Sequence, residues 1–368
     1  MLSGGIKVRY RCAALYATDF ITGVAQFVSR QIRLATVKDV ALLAQVSPAT
    51  VSRAFNSPAL LDETTLEKVR AAAQKLKYQP LGIARSLRVR RSMVVGAIIQ
   101  SMENASYIAG MVELSQSLLA QHGYTMLLAS SHFSDEHAVV ATRAMIRQGI
   151  DALMLINGQP DTGVFPLLHE FAIPYVSAWI RIPGQPSQGF DHLRAMRDVA
   201  CHLLDLGHRD FAVVIPFLKT NDRQRWRLRV VEDTLAARGI ELNRCFLVDD
   251  CGFGIWDGRR ALARIAEQAP RTTAVICAND NLAAGAILEC HARGFRVPGD
   301  MSITGYNDLE IASALEPSIT TIRTPYEPVA HATVDYLLAR MTGASPSNAP
   351  AIPTELIVRA STARPAIR

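Results

Sequence analysis

The chain has 368 residues, with 39 Lys plus Arg against 33 Asp plus Glu and a formal charge of +6. Hydrophobic residues make up 49% and charged residues 20%, which excludes a disordered chain, a collagen-like chain and a coiled-coil rod. The length allows two or three domains of about 100–200 residues, and no run of about 18 uncharged apolar residues suggests a transmembrane helix.

The charge is unevenly spread. Residues 1–35 carry five bases against Asp19, residues 36–92 carry ten bases and four acids, and the rest carries 24 bases and 28 acids. A basic head on a mildly acidic body suggests a polyanion partner, nucleic acid or a membrane surface. A solvated basic surface is the plainer alternative. The six cysteines (Cys12, Cys201, Cys245, Cys251, Cys277, Cys290) form no Cys-x-x-Cys pair. That speaks against a zinc site or a disulfide scaffold and fits a reducing cytoplasm. Residues 1–33 have no apolar run followed by a small-residue cleavage site, so they do not read as a secretory signal. Being basic and nearly acid-free, they leave a transit peptide as an alternative.

The first helix is predicted from Val37, with Thr36 and Asp39 set for a capping box. Val37, Val40, Ala41 and Ala44 follow at helical spacing. After a break at Gln45-Val46, Ser47 offers an N-cap and Pro48 suits the first helical position. The second helix runs through Ala49–Phe55 and ends at Asn56-Ser57-Pro58. Asp62 caps a third, from Glu63 to about Lys77, with Leu66, Val69, Ala73 and Leu76 on one face. Three short helices with a tight first turn make a helix-turn-helix unit. Its second helix would enter a major groove, presenting Ala49, Thr50, Ser52 and Arg53. Small residues allow close approach to base edges, Ala can touch a thymine methyl, and Arg can bond guanine bidentately. A small three-helix module with a surface arginine is the plainer reading. Residues 80–87 read as a marginal short helix, since Gly82 costs about 1 kcal/mol relative to Ala.

From Met93 onward, short apolar runs alternate with amphipathic stretches. Strands are predicted at Val94–Ile99, Thr125–Ala129, Ala152–Ile156, Pro174–Val176, Phe211–Ile215, Cys245–Val248, Ala274–Cys277 and Ser302–Thr304. Helices are predicted at Ile108–His122, His137–Gln148, Phe165–Phe171, Arg194–Leu206, Arg225–Arg238, Gly258–Glu267 and Asn281–Arg293. Repeated βα units mean α/β architecture with parallel sheets, and about 275 residues suggest two lobes. Ligands then bind beyond the carboxyl ends of the strands. Ser101, Asn104, Ser106, Tyr107, Trp179, Asn279, Asp280, Tyr306, Asn307 and Asp308 follow strands. Amides and carboxylates converging with aromatic rings suit a sugar or polyol. Asn279 and Asp280 could equally cap the next helix. Arg223, Arg225, Arg227 and Arg229 recur every second residue, so a helix scatters them, with one or two able to face the cleft. An arginine there would suit a sugar acid or another anion. No phosphate-loop, dinucleotide, Gly-x-Ser-x-Gly or His-Glu-x-x-His pattern occurs, and the histidines do not cluster at metal spacing.

Residues 36–91 resemble the DNA-binding head of the LacI/GalR family of bacterial transcription regulators. The resemblance is carried by Thr36–Ala41, Val46–Arg53, Tyr78-Gln79-Pro80 and Ala84-Arg85-Ser86-Leu87. The body is similar to the family's two-lobed effector domain of periplasmic-binding-protein type I fold. This is carried by Asp205–Arg209, Ala278–Ala286, Gly294–Asp300, Gly305–Asp308 and Thr320–Arg323, so the likeness spans about 36–365.

The resemblance implies an N-terminal helix-turn-helix head at 36–79, a hinge helix and linker at 80–92, and an effector-binding and dimerisation domain at 93–365. One lobe would comprise about 93–191 and 325–352, the other about 192–324 and 353–365. It implies DNA contacts from Thr36, Ser47, Pro48, Ala49, Thr50, Ser52, Arg53, Asn56, Tyr78, Ile83, Leu87 and Arg88, with Leu87 as a minor-groove wedge. Effector contacts would come from Asn104, Tyr107, Trp179, Phe190, Arg227, Phe253, Asn279 and Asn307. The expected protein is a cytoplasmic homodimeric repressor without cofactor, metal or membrane partner. It would bind a pseudo-palindromic double-stranded operator under control of a small-molecule effector. Leu81 replaces a frequent Asn at the start of the hinge, and Asn307 a frequent Asp. Trp179 replaces a frequent small acidic residue, so the effector should differ from a simple neutral hexoside. Leu34-Ala35-Thr36 stands where the family usually starts. Residues 1–33 are therefore expected to be untranslated, with Leu34 as the start; otherwise 1–35 is expected to be a disordered basic extension. A solute-binding protein sharing the body fold is the alternative, and a metabolic enzyme is a more distant one.

Overall fold

The computed structural model describes residues 35–78, 91–102, 106–156, 163–219 and 221–366. The extension 1–33, the hinge segment with Ile83, Leu87 and Arg88, and Asn104 lie outside the described residues. The chain divides into two compact units, Met1–Arg90 and Arg91–Arg368.

In the first unit, helices span Val37–Ala44, Pro48–Asn56 and Glu63–Lys75. Each start is fixed by a side-chain cap. Thr36 and Asp39 form the reciprocal capping box, Ser47 Oγ accepts from Thr50 N at 3.1 Å, and Asp62 Oδ1 accepts from Thr65 N at 2.8 Å. The break at Gln45 is a left-handed residue, φ 55°, whose N–H returns to the end of the first helix. The helices close on Val40, Ala41, Ala44, Val51, Ala54, Val69, Ala72 and Ala73. Small alanines let three short helices approach closely, while Leu42 and Leu43 stay on the surface. Leu66 and Leu76 pack only at the edge of this core.

The second unit carries two parallel sheets. Strands β1 (Val94–Ile99), β2 (Thr125–Ser130), β3 (Ala152–Ile156), β4 (Tyr175–Trp179) and β5 (Ser187–Gly189) form one, in the order β2-β1-β3-β4-β5. Strands β6 (Phe211–Val214), β7 (Cys245–Val248), β8 (Ala274–Cys277) and β9 (Ser302–Thr304) form the other, in the order β7-β6-β8-β9. Val95 faces Ala152, and Phe211 faces Ala274, in register. The central strands are apolar at every position because helices cover both faces. Two further strands, β10 (Thr321–Arg323) and β11 (Glu355–Ile357), pair antiparallel.

Helix ends shift modestly from expectation because caps, not periodicity, set them. Ser134, Asp191 and Asn221 cap the helices Asp135–Arg147, His192–Asp205 and Asp222–Ala237. Each therefore begins two or three residues earlier than its apolar pattern does. The helices Ile255–Gln268 and Asp280–Ala292 cross in close contact through two glycines. A Cβ on Gly258 would lie 2.1 Å from Leu282 O, and one on Gly285 would lie 2.0 Å from Ile255 O. Only hydrogen fits at either position. This crossing fixes the two loops, ending at Gly254 and Asn279, that enter the site described next.

Candidate functional site

On the first unit, the Pro48–Asn56 helix leaves Ser47, Pro48, Ala49 and Arg53 exposed, with Thr50 and Ser52 half-buried beside them. Arg53 stands free of the core on the face that Val51 and Ala54 do not occupy. Two expected contacts are partly committed within the protein. Thr36 Oγ1 lies 2.8 Å from Asp39 Oδ2 as part of the cap, and Ser47 Oγ lies 2.9 Å from Thr50 Oγ1. Tyr78 is half-buried, edge-on to Phe55 with ring centroids 5.8 Å apart. Burial raises its phenol pKa. It thus closes the core as well as standing near the basic surface. Asn56 is the last residue of its helix.

On the second unit, the carboxyl ends of the strands meet at a narrow cavity that opens to solvent. Phe133 and Trp179 line it from the five-stranded half. Arg223, Gln224, Arg227, Phe253, Ala278, Asn279 and Asn307 line it from the four-stranded half. Five of the expected effector residues therefore converge: Trp179, Arg227, Phe253, Asn279 and Asn307. Phe190 does not reach the lining. It is fully buried behind the cavity, wedged between Trp179 (5.4 Å) and His192 (4.0 Å). Its role is to back the tryptophan, because its own strand end pairs with Ile352. Tyr107 lies in the first turn of the Ser106–Gln121 helix.

Each lining residue is held by a specific device. Asn279 caps the following helix through Oδ1 to Leu282 N (2.8 Å), and its Nδ2 donates to Phe253 O (3.0 Å). One side chain thus serves as cap, loop tie and cavity wall. Asp280 turns away instead, accepting from Thr321 Oγ1 (2.5 Å) and Leu309 N (2.7 Å). Burial raises its pKa to about 7. Asp308 is likewise spent, paired with Arg323 (2.8 Å) and Arg359 (2.6 Å). Asn307 has φ 109°, a conformation Asn tolerates better than most residues, and its N–H donates to Ile322 O. Trp179 has φ 80° and is buried, with Gly189 packed against its carbonyl.

The four arginines of the Asp222–Ala237 helix divide by helical phase. Arg223 and Arg227, one turn apart, are buried, whereas Arg225 and Arg229 are exposed and pair with Asp222 and Asp233. Arg223 Nη2 donates to Gln100 Oε1 at 2.8 Å. Arg227 Nη2 donates to His192 Nδ1 at 2.8 Å, and its guanidinium lies 4.0 Å over the Tyr306 ring. His192 Nε2 donates to Trp179 O at 3.1 Å, which leaves Nδ1 as the acceptor. Burial, then the fields of Arg227 and Arg223, push the His192 pKa well below 6.5, so the ring is neutral.

Sequence reasoning missed His192, Phe133, Gln224 and Phe217. His192 follows directly on a helix cap, and the Arg223–Arg227 spacing of four was the available signal for the buried pair. Phe133 and Phe217 stack at 5.2 Å, and Phe217 packs on Phe253 at 5.3 Å. This aromatic row crosses from one half to the other beside the cavity.

A helix-turn-helix unit with an exposed second helix, joined to a two-sheet unit with a polar cleft, defines a class: DNA-binding regulators with an effector-binding body. Residues 36–80 match the model of bacterial regulatory proteins, lacI family, and residues 200–362 match that of the periplasmic binding protein-like domain. The HTH-type transcriptional repressor PurR of Erwinia tasmaniensis is 31% identical over 319 residues, covering 84% of this chain and 91% of the relative. The ribose operon repressor of Haemophilus influenzae is 29% identical over 319 residues, covering 84% and 92%. The structure of the lac repressor dimer bound to operator and the anti-inducer ONPF superposes with a TM-score of 0.80 at 25% identity, covering 90% of this chain and all of that one. The chain belongs to the LacI/GalR family of transcription regulators. It is a DNA-binding regulator with an effector domain. No helix among the described residues is long and apolar enough to cross a membrane.

Proposed function

We propose that this protein is a homodimeric repressor whose operator affinity is set by a sugar or sugar derivative, sugar acids included, bound in the cleft. The observation that carries this reading is the cavity at the carboxyl ends of two parallel sheets, walled by amides, arginines and aromatic rings. Aromatic faces suit the C–H side of a sugar ring, and amide and guanidinium groups suit its oxygens.

The head would dock the Pro48–Asn56 helix in a major groove. Arg53 would read a guanine, Ala49 a thymine methyl, and Ser47, Thr50 and Ser52 would hold phosphate or base edges. Thr36, Asn56 and Tyr78 would flank that contact. Two heads would read two half-sites of a pseudo-palindrome in the cytoplasm. Residues 80–92 would serve as the hinge, with Ile83, Leu87 and Arg88 at the central minor groove. The effector would bind one relative angle of the two sheet halves better than the other, and so shift the population that holds DNA.

A gel shift with genomic fragments tests the assignment. The full chain should retard a specific fragment, and a chain lacking 1–92 should not. Equal retardation by the shortened chain would refute the head as reader. Loss or gain of retardation on adding a cleft ligand fixes the direction of control.

A further inference from the structure

The chain enters the body through a bracket of hydrogen bonds. Arg91, the first residue of the body unit, donates through Nη2 to Met341 O at 2.6 Å and through Nη1 to Tyr124 Oη at 3.3 Å. Ser92 N and Met93 N donate to the two oxygens of Asp151 at 2.9 and 2.8 Å. Asp151 is itself held in the sheet, its N–H donating to Val94 O at 2.8 Å just before β3. Met93 stands at φ 59°, a left-handed conformation that a residue other than glycine keeps when its surroundings over-determine it. A linker serving only as a spacer leaves its backbone to water. Here the entry is fixed at three consecutive residues.

The other end of the bracket leads to the cleft. Met341 is the last residue of the helix Tyr326–Met341, where the helix dipole favours a cation such as Arg91. Asn307, which lines the cavity, donates its N–H to Ile322 O in β10 at 2.9 Å. Its carbonyl accepts from Thr324 Oγ1 at 3.3 Å, and the helix starts two residues further on. The helix packs on β4 and on the Ser106–Gln121 helix, with Val329, Thr333 and Leu337 buried. Its 16 residues, at 1.5 Å each, make a rod of about 24 Å. One packed helix thus runs from the strand bonded to a cavity residue to the point where the body begins.

We infer that Arg91 and Asp151 are the positioning residues that couple the cleft to the head, Arg91 by tying the incoming chain to the end of the Tyr326–Met341 helix and Asp151 by setting the direction of that chain. This rests on the cleft being the effector site. A ligand that moves Asn307 moves β10 with it, and the helix carries the shift to Met341 as a unit. Arg91 follows the Met341 carbonyl. Asp151, anchored beside β3, holds Ser92 and Met93 in place. The chain is thereby turned at residues 91–93, and the DNA-binding unit is re-aimed. Both residues act through others, so they govern the response to a ligand and not its capture.

Fluorescence anisotropy on the full chain, with the genomic fragment that it retards, tests this without any ligand. Asn307→Ala, Arg91→Gln and the double variant form a cycle. Substitutions so far apart ordinarily add, but here the effect of Asn307→Ala on fragment affinity should differ by about threefold or more between the two backgrounds. Additive effects overturn the proposal. Asp151→Asn replaces Arg91→Gln in the cycle if that variant does not fold. A second arm uses D-ribose, D-glucose and D-gluconate as cleft probes. A probe that shifts fragment affinity in the unaltered chain should do so about tenfold less in Arg91→Gln, while its calorimetric affinity for the free protein stays within about threefold. A full response in the variant overturns the proposal, and a lowered melting temperature with the response intact does so by making the bracket merely structural. If no probe shifts fragment affinity but the cycle is non-additive, the coupling stands and the sugar-effector reading falls. If a probe acts equally on both chains, the effector reading stands and the coupling falls.

Discussion

The two units present their working side chains in opposite ways. The head sets them on an exposed helix face and fixes that face from its ends, with Thr36, Ser47 and Asp62 as caps over a core of mostly Ala and Val. The body buries Arg223, Arg227, His192 and Trp179 and fixes them by mutual bonds. An extended partner such as a duplex needs an accessible, rigid surface. A small ligand needs desolvated groups aimed before it arrives. The difference predicts that head variants change recognition with little change in body stability, and that body variants change both.

The largest effect should come from Gly285→Ala. Its new methyl meets the Ile255 carbonyl, and overpacking of this kind should cost about 3 kcal/mol. Denaturant unfolding followed on the body should show the lowered midpoint; an unchanged one would mean that the two helices can part freely. Next, Arg53→Ala should weaken operator binding by about 1–3 kcal/mol, roughly 5–150-fold. Binding isotherms should show this with cleft binding and melting temperature unchanged; a lowered melting temperature would erase the contrast drawn above.

A smaller effect concerns pH. The His192 pKa lies well below 6.5 in the folded chain, through burial and the arginine fields. The unfolded chain therefore takes up a proton that the folded chain refuses. The stability contribution is complete above pH 6.5 and declines as pH falls below it, by at most about 1.4 kcal/mol per pH unit. His192→Gln should flatten the stability profile in that range; a difference curve independent of pH would show that the ring titrates normally. The smallest effect should be Ser47→Ala, about 1 kcal/mol from the lost cap. It should appear in head unfolding and leave cleft binding unaltered.

Much of this was legible in the sequence, and the physical reasons are particular. The strands at Val94–Ile99, Ala152–Ile156, Cys245–Val248 and Ala274–Cys277 match their predicted bounds because buried parallel strands are short, continuous apolar runs, and Ser302–Thr304 matches as well. Caps such as Ser47 and Asp62 name themselves by residue type. The strands β5, β10 and β11 did not show: three residues carry no periodicity, and these three lack the regular βα alternation that marked Ser302–Thr304. The helix Tyr326–Met341 begins behind Pro325 and contains Pro328, and these breaker residues hid its start, although Val329, Ala330, Thr333, Val334, Tyr336 and Leu337 are buried along one face. In the cleft, Trp179, Arg227 and Asn279 could be placed because they follow strands or match the family pattern. Gln224 and His192 could not, because their roles depend on how one half of the body faces the other. Phe190 was assigned to the ligand, but geometry assigns it to Trp179.

The last described residues of the chain bear on when control begins. Ser361 accepts from Ile303 N through its carbonyl and from Thr320 N through Oγ (2.8 Å), and both donors belong to fully buried residues. Ala363 O accepts from Ser302 Oγ and lies 2.9 Å from His208 Nε2. Until these residues leave the ribosome, each buried N–H lacks its acceptor, at about 1–3 kcal/mol apiece. The head is synthesised first and the last stitch of the four-stranded half comes some 280 residues later. A nascent or prematurely ended chain would therefore carry a folded head on an unfinished body. The last residues of the chain therefore decide when the four-stranded half is complete, long after the head has formed.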